Sequence, residues 1–201
     1  MAGETIKSFT APFLAPGDLA FDGRSLWHGD ALSGLIYQLD LDGTVIKSFL
    51  APGDAPTGLE FDGKYLWSCS YVPSLIYQLD LDGKVIRSFA APSNSPIGIA
   101  YDGKYLWNCS FVPSLIHRLD LDGTIIKTFA APGTAHMGLA FDGKYLWTVS
   151  HGIRRIYQLD LDGKVTKSFL RSGTSPTGIT FDGKYLWHGG LATRLIYQIA
   201  R

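Results

Sequence analysis

Glu60, Asp18 and His136 each break an internal pattern, and their side chains have the chemistry to bind or catalyse. Glu60 stands where related segments carry Ala20, Ala100, Ala140 and Thr180. Asp18 replaces a glycine found at Gly58, Gly98, Gly138 and Gly178, and His136 replaces a proline found at Pro16, Pro56, Pro96 and Pro176. With His28, Asp30, His151 and His188, they give carboxylates and imidazoles suited to acid–base work or to holding a ligand. Tyr71, Phe111 and Arg194 add two aromatic faces and a cation nearby in the pattern. The spacing itself is a weak signal: each residue falls in a different segment and no short metal-ligand motif occurs. No metal or other cofactor is therefore expected.

The segments that position these residues recur every 40 residues, five times, with nothing between the copies. Tryptophan marks each copy at Trp27, Trp67, Trp107, Trp147 and Trp187. A second phrase, Leu75 to Gly83, has its counterpart at Arg155 to Gly163. A fixed period in this range marks a repeat architecture. Within Thr57 to Phe89, four short apolar runs are separated by Asp62-Gly63, an irregular connection and Asp82-Gly83. Asp-Gly between apolar runs signals a hairpin, because primed turns need positive φ at both central residues. Each copy reads as a four-stranded antiparallel meander. Its two faces are both apolar, so it must pack against its neighbours, and radial packing does this.

The expected fold is therefore all-β: a single five-bladed β-propeller spanning residues 1–201. The last copy stops after its third strand, while residues 4–9 match the fourth strand of other copies, such as Val45 to Phe49. Pairing of residues 4–9 with 195–200 should close the ring and predicts a monomer. Cys69 and Cys109 hold equivalent positions in adjacent copies, roughly 14 Å apart in such a ring, beyond the reach of a disulfide. Both should be free and buried.

Composition excludes several functions. Lys+Arg and Asp+Glu both total 18, which gives no bulk charge to attract nucleic acid or an anionic membrane. No apolar run approaches a membrane span. The first residues lack the basic and apolar regions of a secretory signal, which points to a cytoplasmic or recombinant protein. Residues 51–90 and 91–130 agree at 25 of 40 positions, which fits recent amplification of one blade or deliberate design. The Leu-Asp-Leu-Asp-Gly phrase lacks the ligands of a calcium loop and reads as turn chemistry.

The Pro-x-Gly-Ile/Leu, Asp-Gly-x-x-Leu-Trp and Ile-x-x-Leu-Asp phrases resemble repeats of the NHL and streptogramin-lyase propeller group, whose rings usually have six or seven blades. Thr57 to Leu59 and Leu66 to Cys69 also resemble phrases of the five-bladed glutaminyl cyclases. The acidic residue that this second resemblance implies falls at His28, Ser68, Asn108, Thr148 or His188, none of which is a carboxylate. The resemblance thus implies a propeller and leaves cyclase chemistry without its acid.

Variation between copies concentrates in the connection between the second and third strands and in the crossover between blades. Loops on a rigid scaffold commonly carry binding. Charge there is uneven, with Asp18, Asp30, Asp54 and Glu60 in the first two copies and Arg154, Arg155, Arg171 and Arg194 around the last two. The reading is a non-catalytic ligand-binding or scaffold propeller, its site on the variable-loop rim near the channel, for a small-molecule or protein ligand. Two alternatives stay open: a hydrolase or lyase using His28, His136, His188 and Glu60, and a lectin-like carbohydrate binder using Tyr71 and Phe111.

Overall fold

The computed structural model describes residues 1–171 and 174–201. It holds five four-stranded antiparallel sheets, and no helix occurs among the described residues. Blade 1 comprises Pro16–Phe21, Leu26–Asp30, Leu35–Leu39 and Val45–Leu50, from the axis outward. Blades 2, 3 and 4 repeat this order, starting at Pro56, Pro96 and His136. Blade 5 takes Pro176–Phe181, Leu186–Gly190 and Leu195–Ile199 from the end of the chain and Thr5–Thr10 from its beginning.

The core lies between blades. Trp27 of blade 1, for example, packs with Leu59, Leu66 and Leu79 of blade 2. All five tryptophans are fully buried, and each meets a phenylalanine of its own blade's outer strand at 6.0–6.3 Å between ring centroids. Burying an aromatic side chain of this size is worth a few kcal/mol, roughly 25 cal/mol per Å² of apolar surface. Cys69 and Cys109 are free and buried, as their equivalent positions require.

Each tryptophan also carries a polar indole N–H into the core, and one residue satisfies it in every blade. Trp107 Nε1 donates to Asp102 Oδ2 at 2.8 Å, and the other four tryptophans make the same bond at 2.7–2.8 Å. The second oxygen of each aspartate closes the first hairpin: Asp102 Oδ1 accepts from Lys104 N at 2.9 Å and Tyr105 N at 2.7 Å. The second hairpin is held likewise, with Asp80 Oδ1 accepting from Asp82 N and Lys84 N. These carboxylates serve turn geometry, which is why the hairpin rim is nearly constant.

Ring closure reproduces this second hairpin from two distant pieces of chain. Gly3 N donates to Ala200 O and Ala200 N to Glu4 O, matching Gly43 N to Asp40 O and Asp40 N to Thr44 O. Gly43 needs positive φ (92°) and lies against the ring of Phe9, while Gly3 (φ 78°) lies against Phe169 in the same way. Thr5–Thr10 pairs antiparallel with Leu195–Ile199, and Arg171 Nη1 donates to the Gly3 carbonyl at 2.9 Å. Without this strand, blade 5 would present an unpaired apolar edge. Deletion of residues 1–10 is therefore expected to lower the melting temperature and bring on aggregation, read by calorimetry and light scattering. Unchanged melting and unchanged light scattering would contradict this closure.

Candidate functional site

The inner strands run from the loop rim, at Pro56 for blade 2, to the hairpin rim, at Phe61. Their glycines approach so closely that the channel narrows to backbone. A methyl group on Gly98 would lie 2.7 Å from Gly138; on Gly138 it would lie 2.8 Å from the Gly178 Cα and 3.0 Å from Asp18 Oδ1. The ring therefore admits one side chain, and Asp18 is that side chain. Its Oδ1 accepts from Ile179 N of blade 5 at 3.0 Å and its Oδ2 from Leu59 N of blade 2 at 3.2 Å. Burial holds the Asp18 carboxyl well above the usual carboxylate range, although the Leu59, Leu19 and Ile179 amides pull the other way.

Glu60 enters the same channel further along, at the hairpin end. It stands opposite Trp67 and two residues before Asp62. Glu60 Oε1 accepts from Phe61 N at 2.8 Å and Oε2 from Tyr101 N of blade 3 at 3.3 Å. Burial raises its pKa to about 8, and Asp62 adds to the rise. The structure thus brings Asp18 and Glu60 into one channel but separates Glu60 from the loop rim, where sequence position had grouped it.

The position that varies as His28, Ser68, Asn108, Thr148 and His188 is fully buried in every blade. It faces the bulge in the inner strand, where the register shifts between Pro96 and Gly98 or their counterparts. Asn108 Nδ2 donates to Gly98 O at 2.8 Å and Thr148 Oγ1 to Gly138 O at 2.9 Å. Two of these residues thus satisfy a carbonyl beside the bulge. His28 stacks on Tyr37 and both its ring nitrogens are buried without partners; burial lowers its pKa to about 4. His188 stacks on Tyr197, accepts from Arg171 Nε at 3.0 Å, and is held neutral by burial and by Arg171, its pKa lowered to about 3.

The remaining candidates lie at the loop rim. Asp30 is buried and occupied: its Oδ1 accepts from Leu32 N and Ser33 N, and its Oδ2 from Ala15 N, tying loop to crossover. His136 Nδ1 lies 2.9 Å from Thr148 Oγ1, and burial lowers its pKa to about 4. His151 is half-buried beside the Pro176 carbonyl. Arg194 is exposed and takes positive φ (57°) in its turn. Tyr71 and Phe111 are exposed, on the loops of blades 2 and 3. No group of three or more metal-ligating side chains occurs among the described residues.

Concave space also lies on the hairpin rim. A groove of about 370 Å³ opens on the hairpin rim between blades 1 and 2, lined by Asp22, Arg24, Ser25, Gln38, Ile46, Phe61 and Leu81. A smaller hollow of about 270 Å³ lies between blades 4 and 5. Sequence reasoning passed over Arg24 and Ser25. The available signal was that four copies read Lys-Tyr at these two positions and only this copy departs.

No family model and no curated protein matches the chain. Among solved structures, a glutaminyl cyclase from Myxococcus xanthus superposes with a TM-score of 0.83 at 12% identity, covering 98% of this chain and 95% of that one. A virginiamycin B lyase from Staphylococcus aureus gives 0.60 at 21% identity, covering 96% of this chain and 68% of the lyase. The WD40 propeller domain of Doa1 gives 0.63 at 14% identity over 91% of this chain and 62% of that one. At these identities the likeness shows the fold, a five-bladed β-propeller with lyase-like and cyclase-like neighbours, and no chemistry.

Glu60 makes stability depend on pH. Its pKa is raised from 4.5 to about 8 by folding, so the stability its proton confers is fully present below about 4.5 and is lost as pH climbs through 8. Across that window each pH unit removes up to about 1.4 kcal/mol. His28, His136 and His188, with lowered pKa values, act in the opposite sense below 6.5, but they are shared by any Glu60 variant. Wild type should therefore lose stability relative to Glu60→Gln between pH 5 and 8, measured by urea unfolding. A constant difference across that range would show that Glu60 is not held protonated.

Proposed function

We propose that this chain is a non-catalytic, monomeric binding scaffold whose variable-loop rim docks an apolar surface of a partner. The observation that carries this reading is the chemistry of the rim itself. Leu32, Tyr71, Phe111, Ile153 and Leu191, one from the loop of each blade, are all large, apolar and exposed. Val72, Val112, Phe13 and Leu14 widen the same surface. Large apolar side chains exposed together on one rim of a folded domain suit an interaction site. Beneath it, Asp18 and Asp30 accept backbone hydrogen bonds, and His28, His136 and His188 are buried.

Acid–base chemistry by His28, His136, His188 and Glu60 has thinner support. The imidazoles are sealed from solvent, and Glu60 is partly buried near the hairpin end of its strand, away from the loop rim. A lectin-like reading finds a nearby carboxylate at one aromatic loop: Asp54 N bonds the Val72 carbonyl in blade 2, while the equivalent residue in blade 3 is Asn94. Backbone amide NMR during a titration with the apolar probe bis-ANS tests the proposal. Saturable shifts are expected in residues 31–34, 71–74, 111–114, 151–154 and 191–194, and Tyr71→Ser with Phe111→Ser should weaken binding about threefold or more. Shifts confined to the outer strands, or unchanged affinity in the double variant, would place binding elsewhere.

A further inference from the structure

In blades 2 to 5 the first hairpin carries a lysine and a tyrosine that form a fixed pair. Lys64, Lys104, Lys144 and Lys184 each place Nζ over the ring of the following tyrosine, at 4.7–4.9 Å from its centroid. Blade 3 adds a second cation, with Arg118 Cζ 3.8 Å above Tyr105. This slot is therefore one where an aromatic ring sits under positive charge, an arrangement worth about 0.5–1 kcal/mol at exposed sites.

Blade 1 keeps the cation and lacks the ring. Arg24 takes the lysine position and Ser25 the tyrosine position. The groove between blades 1 and 2 lies at this position, with Phe61, Ile46 and Leu81 as its apolar wall. Its volume of about 370 Å³ exceeds the roughly 270 Å³ of the hollow that Tyr145 lines between blades 4 and 5. It also exceeds the ~150 Å³ that suffices to hold a benzene ring in a protein interior. The floor is fixed: Asp22 Oδ2 accepts from Trp27 Nε1 at 2.8 Å and from Gln38 Nε2 at 3.2 Å, so this carboxylate is occupied. Arg24 has neither an ion pair nor an aromatic partner among the described residues.

We propose that the groove between blades 1 and 2 binds a monocyclic aromatic carboxylate, its ring against Ile46, Phe61 and Leu81, beside the position that tyrosine holds in the sister blades, and its anionic group on Arg24. In the sister blades the lysine cation stands over the tyrosine ring, so the cation belongs beside this ring position. A guanidinium fork there matches a carboxylate in bidentate geometry and can stack on the ring besides. The site is separate from the loop rim and does not depend on the function proposed for it.

Benzoate is the probe, titrated at constant ionic strength and followed through the Trp27 indole N–H and the Gln38 side-chain amide in ¹⁵N NMR. A ligand of this size should bind with a Kd of about 1–10 mM. Arg24→Ala should weaken binding about tenfold, and cyclohexanecarboxylate should bind more weakly than benzoate. Ser25→Tyr, which restores the residue of the four sister blades, should fold normally and abolish the response. Absence of a saturable shift by about 50 mM benzoate would overturn the proposal. So would a response that survives Ser25→Tyr or is indifferent to Arg24→Ala.

Discussion

The hydrogen bond from a buried tryptophan indole to a hairpin aspartate is the interaction on which this ring depends. A tryptophan between blades supplies the largest apolar surface available to the core, but its N–H cannot be left unpaired there. Asp22, Asp62, Asp102, Asp142 and Asp182 resolve this with one oxygen and set the first hairpin with the other. Core packing and turn geometry are thereby joined in a single side chain. That coupling explains why one rim hardly varies between copies, and why its carboxylates should not be read as a metal or catalytic array.

A second constraint comes from the axis. Five inner strands close on one another at the glycine ring, leaving room for the side chain of Asp18 alone. Asp18 in turn bridges blades 5 and 2 through their backbone amides, so one asymmetric residue ties a nearly symmetric ring across its centre. The two carboxylates of the inner strands, Asp18 and Glu60, are thus both bonded to backbone amides of the scaffold. What is left facing solvent at the loop ends is mainly apolar, and that division underlies the binding function proposed here. Exposed ion pairs between blades, such as Lys47 with Asp82 at 2.7 Å and Lys127 with Asp162, add little to stability.

Blade number, strand order and closure by residues 4–9 were legible in the sequence because each follows from period, hairpin signals and an unmatched strand. The free cysteines followed from ring geometry. The candidate site was far less legible. Sequence shows that Glu60 and His28 are exceptional, but not that one lies at the hairpin end of the channel and the other beneath a bulge. Those placements depend on direction along the strand and on a register shift that no residue type announces. Arg24 and Ser25 show the converse. Their departure from Lys-Tyr was visible, yet its consequence, a groove that they line together with Phe61 and Leu81, required the neighbouring blade to be in place.

The most direct test of this account is a double-mutant cycle between Asp102 and Trp107, using Asp102→Ala and Trp107→Phe in urea unfolding. If the indole–carboxylate bond joins core to hairpin, the coupling energy should be about 1.5–3 kcal/mol, as for a hydrogen bond to a charged group. A coupling below about 0.5 kcal/mol would mean that tryptophan and aspartate contribute independently, and would contradict the central role given to their contact.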